Sequence, residues 1–477
     1  MSAGVIERPI SAPPLGRLLL PGVTAVLFGV GLASGRLWLI ALALIPLVVA
    51  IIARPEGATA AFAFVFYLNI PVLVAQATGA NVVGQLAVAL LLIPLVAHVL
   101  VRREAIVLTP ALGLMIVYLA VLVISSLHGG SHPASAEAVT VFLTEGLVLY
   151  LLVTNSVRTP GVLRIVVWAL LLAGATMGAI SIWQELTGTT GSALGGLAQR
   201  TNAETSSRLA GPIGETNRFA QIMLVLVPLA VWAARVERRA ELRVAAVGSA
   251  LLILSGIILT LSRGAGVALG LLALAMLASG FVRVRHILVV GVVLAGFVVT
   301  FAPRYVDRLQ SLEGVAAATS EDRNAADNAI RGRATENLAA LNVFADHPIL
   351  GVGPGQFFTE YSQRYANDLD LRFLDTRRRA HNLYLELAAD VGLLGLFAFL
   401  AIVITTIVQL WRLARFWTAA WRPELADLAR AFALSLVAYL ATGIFLQLTF
   451  QRYFWFLLAL ANAAIWVLTR EAARTAR

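Results

Sequence analysis

Apolar runs of about 20 residues recur from Leu18 almost to the C-terminus, separated mostly by short polar connections. A helix rises about 1.5 Å per residue, so each such run can cross a hydrocarbon core about 30 Å thick. The pattern places spans near residues 18–34, 37–53, 58–77, 82–101, 110–127, 139–155, 163–183, 217–234, 242–261, 265–282, 286–302, 386–410, 430–449 and 453–469. The expected architecture is therefore all-α, a polytopic transmembrane helical bundle of about 12–14 spans embedded in the lipid bilayer. The opening "MSAGVIERPISAPPLGRLLL" lacks a short apolar region followed by a small-residue cleavage site, so the first run is read as a retained span.

Polar positions orient the bundle. Arg102 and Arg103, Arg158 and Arg164, Arg235 to Arg243, Arg283 and Arg285, Arg412 to Arg430, and Arg470 to Arg477 fall on one side if the spans alternate. Basic residues mark the cytoplasmic side, so both termini are expected inside. The other side carries two substantial loops, near Gln184–Thr216 and Pro303–Ala380. The longer loop holds ten arginines. Long translocated loops escape the positive-inside tendency, and an anionic ligand is the simplest reason for that charge. Within it, "SEDRNAADNAIRGRATENLAALNVFADHP" predicts a polar linker and then an amphipathic helix from Ala334 to Ala345, stopped by Pro348. "GVGPGQ" predicts a tight turn; no strand precedes it and Pro354 breaks any dinucleotide-loop pattern.

Composition sharpens this picture by exclusion. The chain is 59% hydrophobic and 13% charged, with a mean hydropathy of +0.85, which suits lipid and not water. Cysteine is absent, which excludes disulfides, thiolate nucleophiles and cysteine-based metal clusters. All 36 basic residues are arginine, which excludes a Walker A lysine and a Schiff-base lysine. The net charge of +10 is read as cytoplasmic loops facing anionic lipid, with no nucleic-acid partner.

Candidate chemistry gathers on the non-cytoplasmic side. In "DTRRRAHNLYLELAADVGLLG", His381 stands where a span begins. The positive end of a helix and the charges of Arg377, Arg378 and Arg379 disfavour an imidazolium, leaving a neutral ring able to accept a proton. An interfacial histidine without a chemical role is the plain alternative. Asn382 is placed to orient the ring, and Tyr384 lies along the same face. Glu386 and Asp390, one turn apart, read as counter-charges to the arginines. Arg263, in "ILTLSRGAGVALG", falls between two apolar runs with almost no loop; Arg218, in "GPIGETNRFAQIM", starts its own span in the same compartment. An arginine at a membrane surface is costly unless it snorkels or meets an anion, and its planar fork suits phosphate oxygens. "DLD" at Asp368 to Asp370 lacks the βαβ context of a nucleotide-sugar site, and His128 with His132 lacks a third ligand, so no metal site and no cofactor are expected.

"NVFADHPILGVGPGQF" followed after a spacer by "HNLYLELAADVGLLGLFAFL" resembles the signature of the O-antigen ligase and Wzy-type polymerase superfamily. "GPIGETNRFAQIMLVLVPL" and "LTLSRGAGVALGLL" resemble two further blocks in the family's order. The likeness covers roughly Gly211 to the last span. It divides the chain into residues 1–210, N-terminal spans with the first large outer loop, and residues 211–477, the ligase-like core with the long outer loop 303–385. The resemblance implies a glycosyltransferase of the GT-C type in the bacterial inner membrane, with its active site on the periplasmic or extracellular face under the long loop and its short helices. It implies transfer of a glycan from an undecaprenyl diphosphate carrier to a hydroxyl of an acceptor glycan or glycolipid, metal-independent and inverting. It also implies His381 as general base, with Arg263 and Arg218, and at least one of Arg377, Arg378 and Arg379, on the diphosphate. Ligase and polymerase differ only in the acceptor, which no motif here reveals. A transporter or lipid-linked glycan flippase is the competing class, and Glu145 inside "VFLTEGLVLYLLV" is the residue that favours it.

Overall fold

A computed structural model describes residues 55–79, 82–129, 133–201, 208–301, 326–369, 376–447 and 452–475. The expected spans at 18–34 and 37–53 lie outside them. Each of the other twelve apolar segments falls on helix: eight helices are long and apolar enough to cross a membrane, one further candidate is a bent pair, and three are shorter apolar helices of 10–17 residues. In order the helices are α1 (Pro55–Tyr67), α2 (Ile70–Thr78), α3 (Val82–Val96), α4 (Pro110–His128), α5 (Pro133–Val141), α6 (Leu149–Ser156), α7 (Pro160–Leu186), α8 (Thr216–Leu224), α9 (Val227–Val236), α10 (Ala240–Leu259), α11 (Arg263–Ala278), α12 (Val284–Phe301), α13 (Ala326–Asp346), α14 (Ser362–Asn367), α15 (Leu383–Ala419), α16 (Pro423–Gly443) and α17 (Arg452–Thr475). A two-residue antiparallel pair, Arg200–Thr201 with Arg208–Leu209, is the strand content among the described residues. The protein is an all-α polytopic bundle.

Two departures from uninterrupted spans have local causes. The segment read as one span near 58–77 is bent by 61° between α1 and α2. Asn69 takes a left-handed conformation at the bend, its side-chain amide donates to Pro212 O at 2.7 Å, and Pro71 starts the new helix. The segment near 139–155 is one span, Pro133–Ser156, with a π-helical stretch at Phe142–Val148. The span formed by α8 and α9, together with α16 and α17, is the most enclosed. Their aromatic and aliphatic side chains form the main core, in which Phe399, Phe454 and Trp455 stack edge-on or tilted.

The feature that builds the site is a break in α15 at Gly392, where φ is 64° and ψ is −165°. Here the helical ladder is handed to another segment. Leu393 N and Leu394 N donate to Pro348 O (2.8 Å) and Ile349 O (3.3 Å), while Ala389 O and Asp390 O accept from Val352 N (3.0 Å) and Gly353 N (2.8 Å). The "GVGPGQ" turn is thus clipped into a transmembrane helix, and these four displaced backbone groups find partners in residues 348–353. Ser125 Oγ on α4 donates to Leu350 O at 2.6 Å, and Asp390 Oδ1 accepts from Phe357 N at 2.9 Å. A second small core of Ala339, Ala340, Val343, Val352, Phe357, Ala366, Ala380 and Ala389 then seats α13 and α14 on the bundle end.

Gly392 has no substitute in this clip. Its φ and ψ lie in a region open essentially to glycine alone, and a Cβ would stand 2.2 Å from Ile349 O. Strain alone costs about 1–3 kcal/mol, and the overlap adds to it. Gly392→Ala is expected to lower the thermal transition of the detergent-purified protein by several degrees. An unchanged transition would mean that the clip is not closed in solution.

Candidate active site

Four chain segments converge at the end of the bundle carrying the clip. The first two are joined at their helix starts. Ser262 caps α11, accepting from Ala265 N at 3.3 Å, and its hydroxyl donates to Asn217 Oδ1 at 2.8 Å. That hydrogen bond links the residues immediately before Arg263 and Arg218. Arg208 braces the same junction, donating to Thr260 O (3.1 Å) and Asn217 Oδ1 (3.4 Å). The near absence of a loop between α10 and α11 requires Leu261 at φ 54°, and Gly264 lets Phe445 pack within 3.2 Å of where a side chain would begin.

The third segment is residues 376–382, which lead into α15. Asn382 caps that helix, its Oδ1 accepting from Tyr384 N (3.0 Å) and Leu385 N (3.1 Å). This is a different duty from orienting the imidazole, the role its position in sequence suggests. Tyr384 is likewise committed elsewhere, its hydroxyl donating to Leu440 O at 2.9 Å. Glu386 is buried and accepts from Arg379 Nη1 at 2.8 Å and Ala380 N at 3.0 Å, and Arg379 also lies 4.8 Å over the Phe358 ring. His381, just before the cap, has φ 49°. A left-handed conformation is uncommon for a residue with a side chain and recurs at functional positions.

The fourth segment is α13, which begins two turns earlier than the helix read from sequence. The extra turns bring in Arg333, and the next turn carries Glu336. Glu336 Oε2 lies 3.8 Å from His381 Nε2, and its Oε1 lies 3.8 Å from Arg378 Nη1. Arg263 acts electrostatically on Arg333. His381 is held well below its ordinary value, at about 4, first by burial and then by the charges of Arg333, Arg378, Arg218 and Arg379. The ring is therefore neutral at neutral pH, and Arg333 is the foremost charged side chain acting on it. Arg377 is exposed, and its charge is not among those that depress the histidine.

Several arginines away from this site are matched by a carboxylate. Arg158 meets Glu104 at 3.0 Å, and Arg235 and Arg430 share Asp427 at 2.9 and 2.8 Å. Around His381 the balance differs. Arg218 pairs with Glu215 at 2.5 Å, Arg379 with Glu386 and Arg378 with Glu336, and no carboxylate among the described residues pairs with Arg263. Among the described residues, the guanidiniums of Arg218, Arg263, Arg333, Arg378 and Arg379, with Arg208 close by, thus gather around the carboxylates of Glu215, Glu336 and Glu386 and outnumber them.

The remaining sequence candidates lie apart. Asp368 ends α14, whereas Asp370 and His132 fall outside the described residues. Among the described residues no group of three histidine, aspartate or glutamate side chains converges as a metal site. Glu145 lines a separate cavity of about 700 Å³ between α1–α3 and α5–α6, together with Asn69 and Arg452. Arg452 hydrogen-bonds Asn69 Oδ1 there.

No curated protein matches the chain. Residues 248–400 match the family described as O-Antigen ligase, a stretch that runs from α10 through Arg263, Arg333, Glu336 and His381 to the upper half of α15. The end of the bundle just described lies largely within the stretch that matches this family.

Proposed function

We propose that this protein is an inverting membrane glycosyltransferase that moves a glycan from an undecaprenyl diphosphate carrier to an acceptor hydroxyl. The reaction takes place at the outer face of the bacterial inner membrane. The observation that carries this reading is the gathering of guanidiniums, in excess of the described carboxylates, around a neutral His381. A diphosphate diester is an anion that such a cluster can hold without protonating the ring. The match over residues 248–400 supports a membrane glycan ligase or polymerase at the family level.

The residues divide the work as follows. Arg263 and Arg218, with Arg378 and Arg379, hold the diphosphate; their forked donors match its oxygens and meet the charge that grows as it leaves. His381 takes the proton of the acceptor hydroxyl as that oxygen attacks the anomeric carbon. The bond from that carbon to the diphosphate breaks, and its electron pair departs with the carrier. Attack opposite the leaving group inverts the centre. The energy comes from the lipid diphosphate bond, so no nucleotide is consumed.

Detergent-purified protein given lipid diphosphate-linked glycan and an acceptor glycolipid is expected to form product in one compartment, without nucleotide and at an unchanged rate in EDTA. A transporter needs two compartments and leaves both substrates intact in this assay. Chelator-sensitive turnover would overturn the metal-independent assignment, and absence of turnover the reaction itself.

A further inference from the structure

Glu336 was not picked out from the sequence, and the proton-transfer scheme above gives it no task. It projects from α13 one helical turn beyond Arg333, and its side chain is only 3% exposed. Its two oxygens face different side chains: Oε1 points to Arg378 Nη1 and Oε2 to His381 Nε2, each at 3.8 Å. The charged and titratable groups around it are Arg333 on its own helix, Arg378 and His381 in the segment leading into α15, and Arg218 and Arg379, whose charges also act on the ring. The other buried carboxylate nearby, Glu386, is taken up by Arg379 and the Ala380 amide.

We propose that Glu336 is a positioning residue for His381, stabilising the imidazolium that forms when the ring takes the acceptor's proton. This rests on His381 being the base, as argued above. A separation of 3.8 Å is too long for a hydrogen bond to a neutral ring. Once Nε2–H belongs to a cation, a charge-assisted contact near ~2.8 Å becomes favourable, and a closure of about 1 Å is enough to make it. The surroundings make this help necessary. Four arginines already act on the ring, so an unaided imidazolium would be a further cation among guanidiniums in a poorly screened site. The proton passes from the acceptor oxygen to His381, the acceptor oxygen bonds the anomeric carbon, and the diphosphate leaves with its electron pair. Glu336 takes no proton in this scheme, as the carboxylate takes none in a serine protease triad.

The inference gives two readouts of opposite sign. Glu336→Gln removes a negative charge from the arginine cluster, so inorganic pyrophosphate should bind severalfold more tightly to the full-length protein. The same change should lower kcat by about 10–100-fold, less than removal of a hydrogen-bonded triad carboxylate because the resting contact is looser. Glu336→Asp should recover part of the loss. In a His381→Ala background, Glu336→Gln should cost nothing further in turnover. Unchanged kcat in Glu336→Gln, with His381→Ala inactive, would overturn this inference alone. Weakened pyrophosphate binding alongside lost turnover would overturn it in favour of a scaffolding role. Full activity in His381→Ala would remove the base assignment on which both readings stand.

Discussion

Replacing His381 by alanine lowers turnover by about 10²–10⁴-fold, the range expected when a general base is removed. Binding of the lipid diphosphate changes little, because a neutral ring contributes little to holding an anion. The pH dependence identifies the residue more closely than the rate loss does. The working form is the neutral imidazole, which is lost as the pH falls through its pKa. An ordinary histidine would make that limb appear near about 6.5. Burial and four arginines move His381 down to about 4, so kcat/KM, which reports the free enzyme, should hold level until the pH nears that value. A bound diphosphate offsets the arginines, so the limb in kcat should lie at higher pH than the limb in kcat/KM. Both limbs should vanish in His381→Ala. A kcat/KM profile of purified enzyme that bends near 6.5, or profiles that bend alike in the variant, would remove His381 from the proton transfer.

The bundle was legible because hydrophobic runs report lipid exposure directly, and every one of them that the structure describes is helical. Breaks within helices were less legible. Gly392 sits inside a segment that reads as one span, and nothing local shows that its helix will pass backbone hydrogen bonds to residues 348–353. That exchange depends on a partner some 40 residues away, which periodicity cannot see. "GVGPGQ" was recognisable as a turn, yet its role as a clip follows only from the contact with Ala389 and Asp390.

The site shows the same division. His381, Arg263 and Arg218 stood out because charge is conspicuous at the edge of an apolar run, and the structure brings all three to one end of the bundle. Arg333 and Glu336 were hidden because they lie at the start of an amphipathic segment that follows a charged linker, where one more charge carries no signal. Only the seating of α13 by a small alanine-rich core reveals which of its residues face the histidine. The three consecutive arginines were indistinguishable as letters. Folding separates them: Arg379 turns back to Glu386, Arg378 faces Glu336, and Arg377 points to solvent.

That separation sets the second large effect, a graded loss across the arginines. Arg263→Ala is expected to lower kcat/KM for the lipid-linked donor by about 10²–10³-fold, the scale for removing one electrostatic contact to a charge that grows in the transition state. Arg263 stands at the start of α11 with no carboxylate paired to it among the described residues, so its field is available to the ligand. Arg218 already shares its charge with Glu215, so Arg218→Ala should cost less, about tenfold. Arg377→Ala should change the rate by less than about threefold, as expected for an exposed charge screened by solvent. Arg263→Lys keeps the charge and loses the fork, so it should fall between wild type and alanine. The split between kinetic constants then tests the mechanism itself. A clamp acting on a leaving diphosphate must lower kcat by more than it weakens inorganic pyrophosphate binding, because charge accumulates only as the bond breaks. Equal losses in Arg263→Ala and Arg377→Ala would mean that the loop's charge attracts the donor from a distance and that no arginine grips it during transfer.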